Sequence, residues 1–263
     1  MPRSTFSSAR GRLLLVVGVA LLAGACAQAF QPAKFHTNDD LYRASFDRLQ
    51  HHQWGDAVAG FDRLTLQLPA RDSLMPLSMY YLGRAHEGAA EYLLAAQAYN
   101  RMAEAFPADT LAPDAMYRAG VSYAKLWRKP TLDATYGQLA IATFQTMRGR
   151  YPTSPLAAQA QEQIVRLDRW LARKMYENGM FYLRRKAPYS AIIYFQDVVR
   201  QYPATPEAKD ALLRLVEVYQ TVRYREDEKD ACTTLRQRYP SDGDVLQACG
   251  PAPATAAAPT PTP

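Results

Sequence analysis

The sequence predicts an all-α chain built as a stack of helical hairpins. Two observations carry the prediction: a phrase of small residue, aromatic ring and proline that returns in phase, and a second small residue at a fixed distance ahead of it. The phrase is clearest from Tyr189 to Pro203, YSAIIYFQDVVRQYP, where Ala191 is followed by Phe195 and then Pro203. The same spacing gives Ala57, Phe61 and Pro69; Ala95, Tyr99 and Pro107; and Ala140, Phe144 and Pro152. A fifth copy before Pro240 keeps only the proline, with Glu228 and Cys232 in the other two slots. Residues four apart share a helix face, so the alanine admits a neighbouring helix while the ring fills the groove beside it. The proline cannot continue the helix and marks the exit of each hairpin.

Counting further back from the prolines gives the second small slot, at Ser45, Gly83 and Gly179. In the third copy Gly120 stands farther from Pro152, which predicts about eight extra residues in the hairpin turn, Arg128 to Thr135. Small, small, aromatic and proline at these offsets make the tetratricopeptide pattern. The fold class is therefore a tetratricopeptide-repeat superhelix of about five helical hairpins, with an extended helix between repeats three and four. Steps of 38, 45, 51 and 37 residues separate Pro69, Pro107, Pro152, Pro203 and Pro240. All exceed the usual repeat of about 34, so the repeats carry insertions.

Five segments follow in order: 1–25 a signal peptide, 26–37 a lipidated linker, 38–152 repeats one to three, 153–249 repeats four and five with a capping helix, and 250–263 a disordered Pro/Ala/Thr tail. MPRSTFSSARGR is basic and polar, and Leu13 to Ala25 is apolar but too short for a permanent membrane anchor, which suits a secretory leader. Leu22-Ala23-Gly24-Ala25-Cys26 resembles a lipobox, in which Cys26 is acylated; Ala23-Gly24-Ala25 would also serve an ordinary signal peptidase, and a secreted soluble chain is the alternative. Asn38 is the expected cap of the first helix, with Asp39 and Asp40 in its first turn. That helix runs to His52, turns at Trp54-Gly55, and Asp56 to Leu68 returns. Leu74–Ala90 pairs with Glu91–Phe106, and Ala112–Trp127 with Tyr136–Tyr151. From Pro155 to about Arg185 no strong breaker intervenes, so one helix of about thirty residues is expected, near 45 Å long. A break near Arg166 to Asp168 is the alternative. Pro206–Val222 and Arg225–Tyr239 make the last hairpin.

The formal charge is +6, and Arg3, Arg10 and Arg12 lie in the leader, leaving +3. That is too little for a phosphate-binding surface, so no nucleic acid is expected. The histidines form no metal-spaced cluster, there is no glycine-rich phosphate loop, and no serine has a relay, so neither enzyme, cofactor nor metal is expected. Cys232 and Cys249 remain as an even pair in an exported chain. Cys232 occupies the ring slot of the last hairpin, where a cap helix through Val245 to Cys249 would cross it; the readings are a disulfide or two separate thiols.

Binding is the stronger expectation. The inward-facing slot of the first helices holds Tyr42, Tyr80 and Tyr176, and the insertion-corrected third repeat adds Tyr117. The next turn adds Phe46, Arg84, Val121 and Met180. Tyr42, Phe46, Tyr80, Arg84 and Tyr117 therefore form a candidate groove for an extended peptide, its apolar side chains on the rings and its carboxylate at the guanidinium. Packing of these tyrosines between adjacent helices is the competing reading.

Tyr182, Ala191, Phe195, Tyr202-Pro203, Thr205-Pro206, Ala211-Leu212 and the run from Arg214 to Tyr219 resemble the BamD family, tetratricopeptide lipoproteins of the outer-membrane β-barrel assembly machinery. Leu41-Tyr42, Trp54 with Ala57, and Met116 to Gly120 fit it too. Tyr194 and Lys186 stand where the family often has arginine and glycine, and the stretch after Pro69, ARDSLMPLSMYY, lacks the usual glycine. The resemblance implies a lipoprotein anchored by Cys26 to the periplasmic face of the outer membrane. Its implied partners are the barrel-forming subunit, held by repeats four and five, other assembly lipoproteins, and unfolded outer-membrane proteins met by the N-terminal repeats. A periplasmic tetratricopeptide lipoprotein of another envelope assembly, in cell-wall coordination or pilus biogenesis, is the alternative.

Overall fold

The computed structural model describes residues 30–251, and Cys26, the leader and most of the C-terminal tail lie outside them. The described residues form eleven α-helices and one short 3-10 turn, with no strand. They group into two compact units, the first ending at Ala89 and the second beginning at Ala90. That boundary falls inside the second hairpin, whereas the repeat arithmetic groups repeats one to three together.

The first unit holds the turn Pro32–Lys34 and helices α1 (Asn38–Gln50), α2 (Trp54–Gln67) and α3 (Leu74–Gly88). Thr37, one residue earlier than the expected Asn38, caps α1: its side chain accepts from the Asp40 amide. The hydroxyl does what an N-cap must, satisfying a donor with no partner inside the helix. Trp54 and Gly55 belong to the first turn of α2 and not to the loop. The reversal is made by His52, which takes φ 58°, with the Gln53 amide donating to the Arg48 carbonyl at 2.9 Å. Helices α1, α2 and α3 pack pairwise. Ser45 and Gly60 meet where α1 crosses α2, and a Cβ on Gly60 would fall 1.9 Å from the Ser45 hydroxyl. The stretch expected as a linker is held down from Phe30 onward. Its ring packs on Phe35 with centroids 5.6 Å apart, and the Arg48 guanidinium lies 5.3 Å over it.

The second unit runs α4 (Tyr92–Ala105), α5 (Ala112–Leu126), α6 (Thr135–Arg150), α7 (Leu156–Arg184), α8 (Pro188–Gln201), α9 (Pro206–Val222), α10 (Arg225–Arg238) and α11 (Gly243–Cys249). Each of these packs on the next. Helix α7 is unbroken over 29 residues, about 44 Å at 1.5 Å per residue. It also reaches α5 and α9, so one helix serves both the third repeat and the last two.

The ring slots set the core. Phe61, Tyr99, Phe144 and Phe195 are all 0% exposed, as are Ala57, Ala95, Ala140 and Ala191 four residues before them. The small slot explains itself in the same way. A Cβ on Gly120 or Gly179 would come 2.6 Å from Cε1 of Phe144 or Phe195, so only a hydrogen fits beneath each ring. Three hairpin turns use one device. His52, Lys186 and Arg223 take positive φ, and the next amide reaches five residues back, Gln53 to Arg48, Ala187 to Tyr182 and Tyr224 to Tyr219. That is the Schellman closure of a helix end. The third hairpin replaces it with the loop from Trp127 to Ala134, which Lys174 ties down by donating to the carbonyls of Thr131 and Leu132.

Candidate functional site

The first unit carries an aromatic cluster on α1 and α3. Tyr42 and Phe46, one turn apart on α1, stack with centroids 6.3 Å apart, and Tyr81 meets Phe46 edge-on at 5.0 Å and Tyr42 at 6.4 Å. Tyr42 also stands edge-on to the buried Phe61 at 5.9 Å. Burial, and next the neighbouring Tyr81, pushes the Tyr42 hydroxyl up to about 12. Tyr80, the residue that the spacing assigns to the groove, is only 5% exposed, and the half-buried Tyr81 stands in the cluster instead. One residue turns a helix by about 100°, enough to exchange the two. Arg84 is half-buried on α3, one turn from Tyr81, and has no carboxylate partner among the described residues. An aromatic shelf with a guanidinium a turn away can stack an apolar peptide side chain and take a carboxylate.

Tyr117 and Tyr176 belong to the second unit. Each tilts over the ring of its own hairpin, Tyr117 on Phe144 at 5.6 Å and Tyr176 on Phe195 at 5.6 Å. The Tyr42 contact with Phe61 is the same arrangement. The tyrosine position thus roofs each buried phenylalanine and leaves one edge of itself in the open. Burial raises the Tyr117 hydroxyl, with the Arg166 charge opposing.

At the C-terminal end, Tyr176, Arg214, Glu217, Gln220, Asp244 and Gln247 line a cavity of about 560 Å³. Arg214 donates to Glu217 at 2.7 Å and faces the Tyr176 hydroxyl at 3.5 Å; hydrogen bonds to Tyr176 and then Glu217 hold it charged. Helix α11 forms one wall. Cys232 and Cys249 are bonded, with Cα atoms 5.4 Å apart. Asp242 caps α11 through the Asp244 and Val245 amides and pairs with Lys209 at 2.7 Å. The Lys209 hydrogen bond holds the Asp242 carboxyl below its usual range. Arg236 donates to the Cys249 and Gly250 carbonyls. In the same repeats, Tyr189 and Ile193, one turn apart on α8, are 61% and 60% exposed. Tyr194 stacks on Tyr182 at 5.3 Å.

Among the described residues no group of three or more His, Cys, Asp or Glu could hold a metal ion. No helix among them is long and apolar enough to cross a membrane.

Residues 35–235 match the YfiO family, described as outer membrane lipoprotein. The chain belongs to the YfiO family. A relative from Caulobacter vibrioides, named outer membrane protein assembly factor BamD, is 27% identical over 230 residues, 86% of this chain and 75% of its own. The protein of that name from Rickettsia prowazekii is 26% identical over 239 residues, 87% of this chain and 90% of its own. Among solved structures, a tetratricopeptide repeat protein from Parabacteroides merdae aligns at 11% identity and a TM-score of 0.36, over 81% of this chain and 70% of that one. The sequence signals that lead to the aromatic cluster are the tyrosine slots. Tyr81 carries no such signal, and neither does the Tyr189 and Ile193 stripe, which lies in a run of apolar residues.

Proposed function

We propose that this protein is an outer-membrane lipoprotein scaffold of the β-barrel assembly machinery. Cys26 carries the acyl groups, and more than one chain is needed because a single chain holds a membrane only marginally. The family membership and the relatives named as assembly factors support the role. The observation that carries the binding reading is the half-open shelf of Tyr42, Phe46 and Tyr81 with Arg84 beside it. It receives extended, unfolded outer-membrane proteins, which offer alternating apolar side chains. The exposed Tyr189 and Ile193 of repeat four dock the periplasmic domains of the barrel-forming subunit, and other assembly lipoproteins join the same complex. Bulky apolar residues left in water one turn apart suit burial against a folded partner.

Affinity recovery from detergent-solubilised outer membrane tests the reading. Recovery of a barrel protein with several periplasmic domains is expected, and Tyr189→Ser with Ile193→Ser should abolish it. Recovery of cell-wall synthases or pilus proteins in its place would refute it. Mass spectrometry of the mature N-terminus tests the anchor, and an unmodified Cys26 would remove it.

A further inference from the structure

In the first unit the described chain begins at Phe30, and that residue is half-buried on the first hairpin. Its ring lies between α1 and α2. The Arg48 guanidinium covers it at 5.3 Å, the Phe35 ring flanks it at 5.6 Å, and a Cβ on Gly60 would fall 3.2 Å from its Cε1. The turn Pro32–Lys34 touches α2 as well. Arg48 is itself fixed, donating to Gln53 Oε1 at 2.5 Å and lying 4.0 Å from the Asp56 carboxylate.

This dock shortens the tether between Cys26 and the folded body. From Cys26 to Thr37, which caps α1, there are eleven residue steps, with a reach of about 36–40 Å. From Cys26 to Phe30 there are four, with a reach of at most about 14 Å. An acylated cysteine sits at the boundary of the hydrocarbon, and about 5–7 Å of that reach is taken up in crossing the headgroups. The Phe30 backbone then stands no more than about 9 Å above them, less than the width of one helix. Any tether short of full extension closes that gap.

We propose that the flank of the first hairpin around Phe30 is seated on the lipid headgroups, as a second contact with the membrane besides the acyl chains. Phe30 is the pin that sets this posture, and the surface beside it suits phosphate-bearing lipid. Arg63, one turn beyond Gly60 on α2, and Lys34 in the 3-10 turn are exposed cations, while Asp56, one turn before Gly60, is already engaged by Arg48. Cations held at an anionic surface add to what the acyl chains supply. Helix α3 meets α2 elsewhere, through Tyr81 on Phe61, about 100° around the helix from Gly60. The proposal rests on the acylation of Cys26 proposed above.

The test uses the full acylated protein in vesicles of phosphatidylethanolamine and phosphatidylglycerol, a fraction of the lipids carrying a nitroxide on the headgroup. With Cys26 acylated and Cys232 and Cys249 bonded, an introduced cysteine is the thiol that takes a fluorescent label. The label is placed at Ala59→Cys, beside Gly60, or at Ser73→Cys, ahead of α3; both positions are exposed. The nitroxide should quench the Ala59 label about two-fold more strongly, since that position lies within the short tether's reach. Phe30→Ser should remove the difference. So should about ten Gly and Ser residues inserted after Ala27, whose mean span is about 16–19 Å; this insertion alters none of the described residues, so its effect is not a loss of fold. Protein that floats with the vesicles yet is quenched equally at the two positions overturns the proposal and leaves the anchor standing. A difference that survives the insertion overturns it too, because the tether is then not its cause. Protein that fails to float and carries an unmodified Cys26 overturns the anchor, and the proposal with it.

Discussion

Replacing Gly179 with alanine would place a methyl carbon 2.6, 2.8 and 3.0 Å from Cε1, Cδ1 and Cζ of Phe195. Ordinary carbon contacts lie at about 3.5–4.0 Å, so the ring must retreat by nearly 1 Å. It has nowhere empty to go, because Phe195 is 0% exposed and Tyr176 tilts over it. Overpacking of this kind costs about 1–3 kcal/mol. Alanine recovers about 0.8–1.0 kcal/mol of helix propensity, which leaves a net loss of about 1 kcal/mol. Gly149 is the control, since a Cβ there meets nothing within 4 Å; Gly149→Ala should gain a few tenths of a kcal/mol. Urea unfolding followed by circular dichroism reads the difference as opposite shifts of the midpoint at constant slope. The displaced Tyr176 should also loosen its hold on Arg214. If Gly179→Ala and Gly149→Ala shift the midpoint equally and upward, the account of the small slot is wrong.

Three further outcomes follow from the same structure. Cys232→Ser with Cys249→Ser opens a closure between cysteines 17 positions apart, worth about 3 kcal/mol, and hydrogen exchange should show the α11 amides losing protection first. Lys186→Gly and Arg223→Gly relieve left-handed backbone that costs a non-glycine residue about 1–2 kcal/mol; each should raise the melting temperature. Tyr42 is held up to about 12 against an ordinary value of 10.0. Because its folded value is the higher one, its contribution to stability is intact below pH 10 and is lost as the pH climbs through 12. Burial also raises Tyr117, Tyr202 and Tyr219, so ultraviolet titration should find a late group of tyrosines, and Tyr42→Phe should remove one of them, the one pushed up to about 12.

The register of the repeats was legible because it is written in residue sizes. Alanine, ring and proline at fixed offsets mark a crossing point, and Phe61, Tyr99, Phe144 and Phe195 all fall inside it. The long α7 was legible from the lack of a breaker between Pro155 and Gly179. What escaped depends on rotation and on distant partners. Whether Tyr80 or Tyr81 faces outward is settled by how α3 is turned, and adjacent tyrosines leave the sequence silent. Thr37 and Asn38 are both good caps, so their order cannot be chosen from composition. Trp127 reads as the last residue of a helix, yet it is buried between Gly137 and Trp170. The faint clue was a tryptophan directly ahead of an insertion with a glycine a few residues beyond. Phe30 lies in a stretch of linker-like composition, and its contacts with Arg48 and Phe35 reveal that it is docked.

The unbroken α7 has a consequence for how the second unit can be taken apart. The third repeat holds it at Trp170 and Lys174 and the fifth reaches it at Arg169 through Glu207, so the two sets of contacts overlap and neither side owns it. A shortened protein ending near Pro152 would strip the third repeat of its neighbour, and one beginning near Pro188 would bare Phe195. The helix is continuous over those 29 residues, so Trp170 and Tyr176 stand on one rod about 9 Å apart, and any rigid shift of that rod would move both together.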